Sequence, residues 1–255
     1  MFSKFFTSFK VSPLIAGAAI AGAALAMNAP ATMASVITWG SPTDVSGDAN
    51  VSTAGTLVSA YSFTADSTPP SPVVNGVTFT GLSAANSNTS VTFSGDTIAS
   101  SGGMASFGSF GAPSGFSSAY QTLLTSAYYS KASADPLTLT LNNLTPGTNY
   151  QFEVWANDAR SLAAGRTETV SGSPSDSVTL AYHTGTLGAG QFVLGTFTGD
   201  STGSQVITLA GIGSTGPQIN AFQLRESVPV PEPASLGLLA VGGLGLLLLG
   251  KRRRV

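Results

Sequence analysis

A chain of 255 residues with no cysteine has no thiol nucleophile, no thiolate zinc site and no disulfide, so its domain must be held together by its core. Charged residues make up only 9 % of it, with Lys4 and Lys10 near the start, Lys251, Arg252, Arg253 and Arg254 at the end, and four basic against twelve acidic residues between, a balance of −8. That balance excludes nucleic acid as a partner, and polarity supplied by Ser, Thr, Gly and Asn suits an extracellular β domain better than a cytoplasmic enzyme.

Residues 1–34 read as a secretion signal. Lys4 and Lys10 form a basic n-region, residues 11–27 an apolar h-region, and small residues follow. Small residues at −3 and −1 fit cleavage after Ala26 or after Ala34. The second is preferred, because Ser35 to Trp39 already has the pattern of a first strand. The alternative is an uncleaved anchor helix, for which the Gly and Ala richness is a poor composition. Signal peptidase and the general secretion machinery are the partners expected at this end.

Residues 35–227 read as one ectodomain of short strands. Strands are predicted at 57–63, at 73–82 with Asn75-Gly76 as a tight turn, and at 91–93. Leu137, Leu139 and Leu141 alternate with polar residues on another. The Pro146-Gly147 turn leads to a strand with Tyr150, Phe152 and Val154 on one face. Further strands are predicted at 177–182, 191–198, 205–209 and 218–224. Between 117 and 129 the spacing turns helical through Ala119, Tyr120, Leu123, Leu124, Ala127 and Tyr128, with Ser117 or Ser118 as cap. The helix is expected to pack on a sheet or to plug one end of a sandwich.

The expected fold class is all-β: a jelly-roll-type β-sandwich with one short amphipathic helix, flanked by a signal-peptide helix and a C-terminal transmembrane helix. The runs 144–155 and 218–224 resemble strands of galactose-binding-like domains. The resemblance covers about a third of the domain and implies a fold more than a ligand.

No catalytic residue is assigned. His183 is the only histidine, and nothing near it in sequence supplies a nucleophile and an orienting carboxylate. Glu153 and Asp158, as a carboxylate pair for glycoside cleavage, would point to opposite faces of one strand. Trp155, Asn157, Asp158 and Arg160 form the densest polar-aromatic cluster and are the candidate glycan-binding residues. A structural reading outweighs that one: Trp155 in the core, and Asp158 paired with Arg160 or Arg166 to order the following loop. Asp44, Asp48 and Asn50 present oxygens at a spacing suited to a structural calcium, without the terminal Glu of an EF-hand loop. No other cofactor is expected.

The end of the chain is the most specific part. A stiff Pro-rich linker, 228–233, contains Pro231, Glu232 and Pro233. Residues 234–250 carry no charge, and at about 1.5 Å per residue they are at the short end for a bilayer span. The basic cluster, 251–255, should stay cytoplasmic and leave the domain outside. Pro231-Glu232-Pro233, an apolar helix and Arg252, Arg253 and Arg254, in that order, resemble the PEP-CTERM sorting signal of Gram-negative bacteria. The resemblance implies an exosortase as partner, a membrane anchor through the C-terminal helix before processing, then the cell surface or extracellular matrix, in association with exopolysaccharide. In it the Pro-Glu-Pro residues are recognised rather than catalytic. An ordinary tail anchor that is never processed is the alternative.

The leading expectation is therefore a non-enzymatic surface or matrix protein whose ectodomain binds glycan or another matrix component. A purely structural envelope protein is second, and an enzyme acting on polysaccharide third.

Overall fold

The computed structural model describes residues 35–83, 90–106, 108–184 and 188–227. The predicted leader (1–34), linker (228–233), apolar stretch (234–250) and basic cluster (251–255), with the sorting residues Pro231 to Pro233 and Arg252 to Arg254, lie outside the described residues. Among the described residues no helix is long and apolar enough to cross a membrane.

Alternation builds the longer strands. The first half contains β1 (Thr38–Trp39), β2 (Thr43–Asp44), β3 (Thr56–Thr64), β4 (Val73–Val74), β5 (Val77–Thr78), β6 (Thr80–Ser83), β7 (Val91–Phe93), β8 (Asp96–Ala99) and β9 (Gly103–Met104). The helix α1 (Ser118–Leu124) and β10 (Tyr128–Tyr129) follow. The second half holds β11 (Leu137–Leu141), β12 (Asn149–Ala156), β13 (Thr167–Ser173), β14 (Asp176–Ala181), β15 (Gln191–Thr198), β16 (Gln205–Gly211), β17 (Gln218–Ile219) and β18 (Ala221–Glu226).

The result is an all-β sandwich. One sheet runs β1-β15-β12-β18-β3-β6, with β2 also on β15, and the other runs β14-β13-β16-β11-β8-β7. The chain changes sheet between β11 and β12, β12 and β13, β14 and β15, β15 and β16, and β16 and β18. Between the sheets lie Phe63, Phe152, Val154 and Phe222 from the first, and Ile98, Leu139, Val170 and Leu209 from the second. Each fully buried large apolar side chain contributes roughly 1.5–3 kcal/mol.

The first sheet also buries its outer face. Ala60, Trp155, Phe192 and Ala221 pack there with Tyr120, Leu123 and Leu124 of α1 and with Val74, Val77 and Phe79. This explains why β12 is buried at consecutive positions from Phe152 to Ala156 instead of every second one. The β4–β5 hairpin turns on Asn75 and Gly76, with φ of 48° and 77°, the positive pair that a two-residue turn of this hand requires.

Three expectations needed correction. In the predicted strand at 73–82 the expected Asn75-Gly76 turn is present, but the segment after it does not run on as one strand: it breaks after Thr78, and β6 pairs parallel with β3. The predicted helix stops at Leu124, because beyond it the backbone is taken by strand partners: Ala105 N–H donates to the Ala127 carbonyl, and Tyr128 pairs with Met104 and Ile219. Ser117 does cap it, its hydroxyl accepting from Tyr120 N–H at 3.1 Å. The predicted strand at 218–224 is interrupted at Asn220.

Candidate functional site

A cleft of about 620 Å³ opens beside the small sheet β17-β10-β9. Its walls are the segment after β9 (Ala105, Ser106, Ser109 and Phe110), the end of β10 (Tyr129, Ser130 and Lys131), the β12–β13 loop (Arg160 and Arg166), and the β16–β17 loop (Ser214, Thr215 and Gly216) with Gln218. Close backbone packing shapes it: a Cβ on Gly216 would lie 2.1 Å from the Ser130 carbonyl oxygen. Only glycine permits that approach.

The cleft is basic and rich in hydroxyls. Arg160 donates through Nε and Nη2 to the two oxygens of Asp158 at 2.7 and 2.6 Å, and its guanidinium lies 4.9 Å from the centroid of the Phe110 ring. A bidentate pair above an aromatic face fixes the plane of the fork. The hydrogen bond to Asp158 holds the Arg160 pKa above its ordinary value. Arg166 Nη1 stands 3.7 Å from the same carboxylate. Asp158 itself is fully buried, whereas both arginine side chains are 38 % exposed. Lys131 is exposed and has no ion-pair partner among the described residues.

Behind the cleft, Glu168 is buried and its Oε2 accepts from Tyr182 O–H at 2.7 Å and from Gln218 N–H at 2.8 Å. Burial pushes its pKa up to about 8, so at neutral pH it is mostly uncharged. Two carboxylates border the lining: Asp158, held by the arginines, and Asp135, whose Oδ2 accepts from the Ser101 hydroxyl that also bonds Ser130. No Asp, Glu or His among the described residues lines the cleft.

Of the four candidate glycan residues, only Arg160 reaches the cleft. Trp155 is fully buried on the outer face of the first sheet, donating from Nε1 to the Tyr120 hydroxyl at 2.9 Å, edge-on to Phe79 and stacked on Phe192. Its ring offers no face to a sugar. Asn157 is also buried; its Nδ2 donates to the Leu124 carbonyl at 2.9 Å and its Oδ1 accepts from Gly190 N–H at 2.8 Å. Asp158 is occupied with the two arginines. Lys131, Tyr129 and Phe110 were not singled out in sequence, where they are scattered and unmotivated; only the pairing of β10 brings them beside the β12–β13 loop.

The candidate calcium oxygens turn to separate protein donors. Asp44 Oδ1 accepts from Gln191 at 2.8 Å, Asp48 Oδ1 from Ser117 at 2.8 Å, and Asn50 Oδ1 from the N–H groups of Ser46 and Gly47 at 2.6 and 3.0 Å. Among the described residues no three His, Cys, Asp or Glu side chains are grouped to hold a metal.

His183 Nδ1 lies 3.2 Å from the Asp158 backbone oxygen. Glu153 is buried beneath the 52–55 loop, where its Oε2 accepts from Ser52 N–H at 3.0 Å and from the Gln223 amide. Burial raises its pKa to about 7 against those hydrogen bonds.

Neither the curated proteins nor the solved structures contain a match to the chain, so the likeness to galactose-binding-like domains rests on strand patterns alone. One family model does match, at the end of the chain: residues 229–254 carry a PEP-CTERM protein-sorting motif.

Proposed function

We propose that this chain is a non-enzymatic surface or matrix protein, divided into leader, ectodomain, linker, span and basic cluster at the boundaries read from sequence, whose ectodomain binds glycan. The sorting motif implies export, processing by an exosortase and delivery to the cell surface. In this reading the 234–250 helix anchors the chain in the inner membrane until that processing. Sorting is carried by one observation: Pro231, Glu232 and Pro233, an uncharged stretch and the terminal arginines occur in the required order within the matched residues.

The ectodomain reading is supported by the cleft. It is open to solvent and lined by hydroxyls, arginines and the partly exposed ring of Tyr129. The alternation of strands between two sheets supports a jelly-roll type.

The test is to express the chain in its native cells with and without the exosortase, and to follow location and intact mass. Delivery to the surface, with loss of the tail only when the exosortase is present, is the expected result. Surface delivery of unprocessed chain at equal yield without the enzyme would defeat the sorting reading.

A further inference from the structure

Residues 35–227 contain only four basic side chains, against eleven acidic ones. Arg225 is buried, donating to the carbonyls of Thr53, Ala54 and Gly55. The other three, Lys131, Arg160 and Arg166, are 29 and 6 residues apart in sequence, yet all line the one cleft. A domain with a net negative charge that gathers every accessible cation into one hollow has a local field opposite to its overall field.

We propose that this cleft binds a carboxylate-bearing polysaccharide, with Lys131, Arg160 and Arg166 holding its acid groups and the serine and threonine hydroxyls meeting its ring hydroxyls. The proposal rests on the glycan-binding reading above and adds the chemical class of glycan. Charge supports it, because three cations line one hollow whose own lining carries no carboxylate; buried Asp158 pairs with Arg160 and Arg166, and Asp135 borders it only through the Ser101 hydroxyl that bonds Ser130. The chemistry of the donors supports it as well. The bonds to Asp158 use Nε and Nη2 of Arg160 and none of the Nη1 donors, and guanidinium forks match planar carboxylates. Lining hydroxyls at Ser106, Ser109, Ser214 and Thr215 can each donate and accept, which suits a polyhydroxylated chain better than a peptide. Elsewhere the acidic surface repels such a polymer, so the cleft also sets where it lands.

The test is affinity electrophoresis of the full-length chain through gels containing polygalacturonate, neutral dextran or polyglutamate, with near-UV circular dichroism confirming the fold of each variant. The variants are Lys131→Glu and Arg166→Gln, since Arg160 also neutralises buried Asp158. Polygalacturonate should retard the chain and dextran should not; added salt should weaken the effect, and Lys131→Glu should reduce affinity by about tenfold. Equal retardation by dextran, insensitive to Lys131→Glu, would overturn the acidic class while leaving glycan binding intact. Retardation by no polysaccharide would overturn both readings. Polyglutamate binding as strongly, with the same loss in Lys131→Glu, would overturn the polysaccharide class.

Discussion

The backbone N–H of Asn157 donates to Oδ1 of Asn220 at 2.6 Å, while Asn220 Nδ2 lies 3.0, 2.9 and 3.1 Å from the carbonyls of Leu124, Ser126 and Asn157. One buried amide thus ties the end of α1, the end of β12 and the break between β17 and β18 together.

Asn220→Ala should destabilise the domain by about 3 kcal/mol, because it leaves several buried backbone groups without their partner. Urea unfolding checks this, and a loss under about 1 kcal/mol would mean that water replaces the amide without penalty.

Trp155→Phe should lower stability by about 1–3 kcal/mol, through lost volume and an unpaired Tyr120 hydroxyl. The folded variant should match the wild type in the proposed polysaccharide binding, since the ring is sealed under α1. A selective loss of binding would return Trp155 to the site.

The domain should be more stable at pH 5 than at pH 8. Burial raises Asp96 to about 6, Glu153 to about 7 and Glu168 to about 8. Between their ordinary and raised values the folded state keeps protons that the unfolded state has lost, so stability falls as pH rises. Each such carboxyl adds up to about 1.4 kcal/mol per pH unit to that slope. Burial works to raise Asp176 too, but hydrogen bonds from the N–H groups of Ile37, Ser173 and Gly172 and from the Ser173 hydroxyl outweigh it, so Asp176 opposes the trend at lower pH. Glu168→Gln should flatten the slope and melt higher than wild type at pH 8, because the amide is neutral at every pH. A melting curve series that stays parallel for both proteins would contradict this.

Removing divalent cations with EDTA should leave the melting temperature within about 1 °C, since a ligand that binds only the folded state must raise it. A larger drop, restored by calcium, would show that Asp44, Asp48 and Asn50 rearrange around an ion.

Much of the sandwich was legible from period-2 patterns. The strand predicted at 191–198 coincides with β15, and Leu137 to Leu141 is β11. β8, β9 and β13 were not read, because sequences such as Asp96-Thr-Ile-Ala99 and Thr167-Glu-Thr-Val170 carry too few apolar residues to announce a strand. The helix was overextended because Ala127 and Tyr128 continue its spacing while their backbone belongs to β10. The site was less legible. The preferred structural reading of the Trp155–Arg160 cluster holds, with Trp155 in the core and Asp158 paired to Arg160 and Arg166, whereas the glycan role offered for Trp155 and Asn157 fails because a two-faced buried strand cannot be told from a half-exposed one by its residues alone. Lys131 meets the arginines only through pairing that no local pattern encodes.

Arg225 has a mechanical consequence. It sits on β18, the strand that leads into the tail, and that strand is hydrogen-bonded on both sides, to β12 and to β3. Its guanidinium also grips three carbonyls from the approach to β3. A tug on the tail along the strand axis therefore strains two ladders and the arginine clasp together in shear, where an edge strand would unzip one rung at a time.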